Sequence, residues 1–267
     1  MKKIIIITSQ ELRHKCFRVF LGNQKGIKVV KTISEEGNIN LQKLKESKKS
    51  KKNLLKKHLI DRDIAEKDFF KFYLDNTKDQ SNNIDRKNGF SSSKNFTKLV
   101  KKLKPNLLVV YGSSILKGEI LNLYKNKILN LHLGISPYYK GSGTNYFPLV
   151  NNEPQYVGAT FMFLDKSIDG GKVIHQQQAN IYLNDNIHQI GNRLILDMYE
   201  VYKKIILNFN KIELKNNLKK KKFKIYKRKD FNLRSLEKLN SNFNNKMIEK
   251  YINQKKNIYL IKQDWIK

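Results

Sequence analysis

Asn130 and His132 stand two residues apart in the run ILNLHLG, and Asp169 follows further along in SIDGGKVI. On a strand, successive side chains point to opposite faces, so Asn130 and His132 project together while Leu129, Leu131 and Leu133 project the other way. That spacing presents an amide and an imidazole side by side at the carboxyl end of a strand, where open α/β sheets bind their ligands. Asp169 falls on a glycine-flanked turn, and Gly170 and Gly171 give the backbone room to carry it to a distant strand end. An imidazole partnered by a carboxylate can hold or pass a proton, and an amide can donate to an oxygen that gains charge. Pattern alone leaves two plainer readings open: His132 as a core histidine bonded to a backbone carbonyl, and DGG as an ordinary turn.

The elements that must position these residues are short runs rich in Val, Ile and Leu at residues 3–8, 27–33, 107–111 and 128–132. Between them, residues 10–21, 41–59, 64–72 and 91–103 carry apolar side chains at helical spacing, the last with Ser91 to Ser93 as a cap and Pro105 as a stop. Residues 76–89 read as a loop. Strand followed by helix is the rhythm of a parallel α/β sheet. After Pro137 the pattern changes: YYKGSGTN is a glycine-containing loop, residues 157–164 and 172–181 read as strands able to pair as a hairpin, and 186–209 as a long amphipathic helix. Residues 214–228 form a lysine-dense connector, and Asp230 is the expected cap of a helix over 231–251.

Composition bounds the function. The 267 residues carry 54 Lys and Arg against 23 Asp and Glu, a formal charge of +31, which ordinarily points to nucleic acid or another anionic partner. Only seven of the basic residues are arginine, and the chain is also crowded with Asn and Ile. Lys, Asn and Ile share AT-rich codons, so coding bias can supply much of the excess; the runs at 48–57 and 219–222 then read as solvated faces or linkers. A single cysteine, Cys16, excludes an intramolecular disulfide and fits a reducing compartment. MKKIIIIT is too short an apolar run for a membrane span and reads as a buried first strand, so a cytoplasmic enzyme with no membrane partner is expected. TSQELRHK follows that strand where a GxGxxG or Walker loop would stand, and the five histidines have no zinc spacing, so neither a nucleotide-powered reaction nor a metal is expected.

The stretches ILNLHLGISPYYKGSGTNYF and YVGATFMFLDKSIDGGKVIHQ resemble the folate-dependent formyltransferase family, whose members carry an N-x-H strand, a proline and glycine loop, and a later D-x-G loop. The matching residues are Asn130, His132, Pro137, Gly141, Asp169 and Gly171, and the resemblance is strongest over residues 105–180. It implies an α/β fold with a Rossmann-like, mostly parallel sheet flanked by helices in a catalytic domain over residues 1–210. Residues 211–267 would be the lysine-rich connector and a small C-terminal helical extension. It also implies N10-formyltetrahydrofolate as formyl donor, with Asn130 and His132 acting on the transferred group and Asp169 pairing with His132. Removal of one donor to a developing oxyanion typically costs about 2.7–4 kcal/mol in barrier. By the same resemblance the folate pocket uses Ser113, Ser114, Ile115 and Leu116 on one side and the loop from Leu164 and Asp165 on the other. Plain packing of a short helix remains the alternative for Ile115 and Leu116.

The acceptor amine is less constrained. Family members acting on glycinamide ribonucleotide have a glycine-rich phosphate loop after the first strand, which TSQELRHK lacks. Those acting on methionyl-tRNA usually carry SLLPxxRG after the N-x-H strand and a C-terminal barrel, where this chain has LGISPYYKG and an expected helix. TSQELRHKCF, RDIAEKDFF and RKDFNLRSLEKL are similar to formyltransferases of sugar and surface-polysaccharide pathways. A nucleotide-linked amino sugar is therefore the expected acceptor, with Arg13, His14, Tyr138 and Lys140 as candidate contacts and Tyr139 nearby. tRNA or another amine, a formyltetrahydrofolate hydrolase, and a basic RNA-binding protein on an inactive scaffold are the alternatives. For a tRNA acceptor, Lys219 to Lys229 and the loop 138–140 should form one basic face leading to His132. The oligomeric state is not readable from the sequence.

Overall fold

The computed structural model describes residues 1–37, 53–167, 169–215, 223–254 and 256–266. Ile4 to Ile7 are each fully buried in β1 (Lys2–Ser9), an interior strand of a seven-stranded sheet. β2 (Ile27–Glu35), β3 (Asn83–Arg86), β4 (Leu107–Tyr111) and β5 (Ile128–His132) complete its parallel part. β7 (Gly158–Phe163) and β8 (Val173–Gln178) add antiparallel strands beyond β5, so the strand order is β3-β2-β1-β4-β5-β7-β8. This is a Rossmann-like α/β architecture, a mostly parallel sheet flanked by helices, as the resemblance implied.

Strand alternation divides the core into two clusters. Ile4, Ile6, Val109, Leu129 and Leu131 face one side, against α1 (Leu12–Gly22), α2 (Asn53–Asn76) and α6 (Ile187–Leu207). Ile5, Ile7, Leu108, Val110 and Ile128 face the other, against α3 (Lys94–Leu103) and α4 (Glu119–Leu123). Ser93 caps α3 by accepting from Phe96 N at 3.1 Å, and Phe96 and Val100, one turn apart, are fully buried. Truncating Phe96 to alanine costs about 3–5 kcal/mol on this reasoning.

Several expected boundaries are corrected. The loop expected over 76–89 contains β3, whose sequence NIDR is polar because the strand lies at the sheet edge and is only partly covered. The helices expected at 41–59 and 64–72 are one helix from Asn53 to Asn76, because the intervening residues 60–63 include no glycine or proline to stop it. Residues 38–52, most of the lysine run 48–57, and Lys219 to Lys222 lie outside the described residues. The helix expected over 231–251 is two, α7 (Leu233–Asn244) and α8 (Met247–Asn253), broken where Lys246 takes a left-handed φ of 58°. Its cap is Asn232, which accepts from Ser235 N at 3.1 Å, while Asp230 accepts from Lys227 N one turn earlier.

Two short pieces matter for the site. β6 (Lys140–Gly141) pairs in parallel with β9 (Ile225–Tyr226), and α5 (Phe147–Val150) follows β6. Tyr226 stacks on Phe147 at 4.2 Å, and Tyr226, Leu236, Leu239, Met247 and Ile248 join the same core cluster as β1.

Candidate active site

The five residues of β5 carry Asn130 and His132 to the end of a parallel strand, and the antiparallel turn-back of β7 sets Thr160 opposite His132. The β7–β8 loop then returns Asp169 to His132, with His132 Nδ1 and Asp169 Oδ1 3.3 Å apart. Asp169 takes φ 46°, a left-handed conformation that Asp tolerates better than most residues. A Cβ on Gly171 would lie 1.8 Å from Phe163 O, so the loop can pass β7 this closely only with glycine there. The other Asp169 oxygen, Oδ2, accepts from Gly141 N at 2.7 Å.

His132 is buried, and its Nε2 lies 3.0 Å from Tyr139 O. Its two nitrogens therefore face a carboxylate and a carbonyl, both acceptors. The two readings of His132 that the sequence left open thus describe opposite edges of one ring: a backbone carbonyl holds Nε2 and an acidic partner sits at Nδ1. Asn130 is half-buried on the same strand face, and no hydrogen bond occupies its side chain among the described residues.

The backbone beside the imidazole is held by buried polar groups that sequence reasoning did not single out. Thr160 Oγ1 donates to Gly134 O at 2.6 Å and accepts from Ser136 N at 3.0 Å. Gln176 Nε2 donates to Ser136 O at 2.6 Å, and its Oε1 accepts from Ile261 N at 3.2 Å. Thr160 and Gln176 are both fully buried. A Cβ on Gly134 would come within 2.8 Å of His132 Nε2 and 2.7 Å of Thr144 Cβ, which explains glycine at this point in LGISP. Nothing local in GATFMF or VIHQQQ marks Thr160 or Gln176, because their partners are brought in by strand pairing.

The segment after β4 is fixed differently. Glu35, buried at the end of β2, accepts from Ser114 N at 3.0 Å and Ser91 N at 2.8 Å. Burial alone would raise its carboxyl, but hydrogen bonds from Ser114 and Ser91 outweigh this and hold it below the usual range. Ser113 Oγ donates to Ser114 O at 2.8 Å, while Ser114 Oγ is buried without a partner among the described residues. Ile115 is 66% exposed, whereas Leu116 is buried in the second core cluster. Leu164 packs on that same cluster and donates its N–H to Ile128 O at 2.9 Å; Asp165 caps Ser167 N at 2.7 Å.

Of the candidate acceptor contacts, Arg13 pairs with Glu66, and the buried His14 donates from Nδ1 to Glu11 Oε2 at 2.8 Å. Tyr138 stacks near Tyr156 at 4.6 Å and Phe223 at 5.2 Å. Lys140 sits in β6 beside Ile225, so the visible end of the lysine-rich connector adjoins the loop that binds Asp169. Among the described residues no helix is long and apolar enough to cross a membrane.

The chain is similar over 104 residues to methionyl-tRNA formyltransferase of Desulforamulus reducens, at 36% identity over 38% of this chain and 32% of that one. The enzyme of the same description from Thermodesulfovibrio yellowstonii is 34% identical over 38% of this chain and 32% of its own. The match thus spans about a third of the length of these curated relatives. Among solved structures, phosphoribosylglycinamide formyltransferase from Anaplasma phagocytophilum superposes with a TM-score of 0.56 at 13% identity, covering 85% of this chain and 98% of that one. A 4-N formyltransferase from Francisella tularensis gives 0.54 at 17% identity, covering 86% and 78%. These likenesses establish the fold, and the family model described as formyl transferase matches residues 2–206. A formyl-transferring fold with the N-x-H strand and its acidic partner, matched over most of its length, places this chain in the formyl transferase family.

Proposed function

We propose that this chain transfers the formyl group of N10-formyltetrahydrofolate to the primary amine of a nucleotide-linked amino sugar, and that residues 1–210 carry the chemistry. The observation that carries the reaction is His132 held between Asp169 and Tyr139 O beside an unengaged Asn130. A neutral amine attacks the formyl carbon, the carbonyl electrons move onto oxygen, and the Asn130 N–H and the imidazolium stabilise that oxygen. The amine then gives up a proton, N10 accepts one, and the C–N10 bond breaks, leaving a formamide and tetrahydrofolate. Asp169 orients the imidazole for that exchange. The buried, unpartnered Ser114 Oγ fits a hydrogen-bonding edge for the donor's pterin, with Ser113, Ile115 and the Leu164–Asp165 segment around it.

The acceptor reading rests on one convergence. TSQELRHKCF, RDIAEKDFF and RKDFNLRSLEKL, the three segments similar to sugar-pathway formyltransferases, are distant in sequence yet pack together. Arg13 of the first pairs with Glu66 of the second, and Phe231 of the third packs on His58, one turn before the second, at 5.6 Å. Methionyl-tRNA is the second reading. It is favoured by the 36% identity to a methionyl-tRNA formyltransferase and by β9, which sets Lys224 and Lys227 beside β6.

One assay separates the readings: the chain is incubated with formyltetrahydrofolate and, in parallel, an amino-sugar nucleotide panel, methionyl-tRNA, or no acceptor. Transfer to an amino sugar at physiological salt, with tRNA binding weakly and steeply salt-dependent, is the expected result. Preferred formylation of methionyl-tRNA overturns the acceptor, and formate release without acceptor overturns transfer itself.

A further inference from the structure

A cavity of about 470 Å³ lies between α2, the start of α6 and α7, lined by none of the residues assigned above to formyl transfer. The imidazoles of His58 and His188 line it, 4.7 Å apart, and no hydrogen bond occupies a ring nitrogen of either among the described residues. Asp61 and Asp68 line it too, and neither has a hydrogen-bond or ion-pair partner among the described residues. Phe243 and Leu239 supply apolar wall. Four polar side chains with unspent hydrogen-bonding capacity around one cavity are a recognition surface in want of a ligand.

The chemistry of the walls narrows that ligand. Burial, followed by the neighbouring His188 and Arg62 charges, pushes His58 down to about 3, and burial and Arg62 lower His188, so both rings are neutral and able to stack on a flat heterocycle. Two carboxylates require N–H donors opposite them. Arg62 does not line the cavity; its charge reaches both rings while it pairs with Asp63 and Glu66 at 3.7 Å. Among the described residues no three His, Cys, Asp or Glu side chains are placed to hold a metal ion.

We propose that this cavity binds the base of a nucleotide acceptor, and that the base bears an amino group as guanine and cytosine do. Carboxylates accept from base amino groups. Uracil and thymine instead offer a carboxylate one N–H flanked by two carbonyl oxygens, which the carboxylate repels. A relay of contacts leads from the cavity toward the transfer site: Tyr146 packs on His58 at 5.7 Å, and two residues before it Thr144 donates to Leu133 O beside His132. The identification of the ring as a nucleotide base rests on the amino-sugar nucleotide reading above.

The test is binding of GDP, CDP, UDP and TDP to the full chain by calorimetry, with the Cε1–H resonances of its five histidines followed by NMR. GDP or CDP should bind about tenfold or more tightly than UDP and TDP, shifting the His58 and His188 signals. Asp61→Asn should shrink that preference about tenfold by tightening UDP and TDP binding, since an amide offers uracil both a donor and an acceptor, a gain that loss of structure cannot produce. Asp68→Asn, at an exposed rim position, gives the same readout if Asp61→Asn fails to fold. Equal affinity for all four nucleotides, or silent His58 and His188 signals at saturation, overturns the proposal. A CCA trinucleotide that shifts those signals at lower concentration than GDP and CDP also overturns it, assigning the cavity to a tRNA end. Amino-sugar transfer with a silent cavity defeats only this inference; an occupied cavity with no transfer to any amino-sugar nucleotide defeats only the acceptor reading.

Discussion

His132 and the His58–His188 pair are histidine sites of opposite construction. Both nitrogens of His132 are engaged, by Asp169 at 3.3 Å and Tyr139 O at 3.0 Å, and the neighbouring backbone is pinned through Thr160 and Gln176. His58 and His188 touch each other, His58 also packs on Tyr146 and Phe231, and both line a cavity with no ring nitrogen hydrogen-bonded among the described residues. A group whose every contact is filled by protein is built to hold one charge state and orientation. One left unfilled in a cavity is built to be completed by something else. On the function proposed above, the first site carries the chemistry and the second recognition.

The largest expected effect sharpens that contrast. His132→Ala or Asp169→Ala should lower kcat by about 10²–10⁴ with formyltetrahydrofolate and the true amine, while thermal unfolding stays near that of the parent chain. Near-normal turnover of either variant would move the chemistry elsewhere. His58→Ala should instead act mainly on the acceptor KM, and a kcat loss as large as that of His132→Ala would erase the distinction between the sites.

Acid should act through the buried neutral imidazoles. Burial, with a smaller effect of Lys262, pushes His175 down to about 4, and its Nδ1 accepts from Gln263 N at 3.2 Å, a bond that needs the neutral ring. The unfolded chain protonates this group near pH 6.5, so between about 6.5 and 4 it binds more protons than the folded one. Stability should accordingly fall as pH drops through that window, by up to roughly 3 kcal/mol from this residue, with His58 adding in the same direction. Urea unfolding at pH 7 and pH 4.5 measures the loss, and His175→Asn, which keeps an acceptor without a titrating group, should flatten it. An unchanged slope in that variant would remove His175 as the cause.

Thr160→Val tests the pinned backbone. It leaves Ser136 N and Gly134 O without their buried partner, which should cost about 1–3 kcal/mol of stability, and it should lower kcat more than either substrate's KM. A variant equal to the parent in both would show that the loop needs no such support.

The smallest effect is expected at Glu35. Glu35→Gln replaces one carboxylate oxygen with a donor facing the N–H of Ser114 or Ser91, loosening the 113–116 segment. The donor KM should rise several-fold, about 1 kcal/mol, with kcat retained. An unchanged donor KM would detach this segment from the folate pocket.

Much of this molecule is legible in its amino-acid sequence. The strands at 107–111 and 128–132 match their expected bounds, because uninterrupted Val, Ile and Leu runs have a central sheet position as their stable environment. Asn130, His132 and Asp169 are found by type, spacing and family resemblance. The edge strand NIDR has no apolar signature and is invisible to such reasoning, and so are Thr160 and Gln176, polar residues in runs that otherwise read as core. Local sequence suffices for the strand–helix rhythm and for the side-by-side placement of Asn130 and His132, since both follow from periodicity and the pleat of one strand. That Asp169 meets His132, that Glu35 holds Ser114, and that His58, Asp61 and His188 share a cavity are outcomes of tertiary folding alone. Those contacts join residues whose proximity depends on the order in which strands pair and the face on which helices dock, and these are settled by burying the whole core at once.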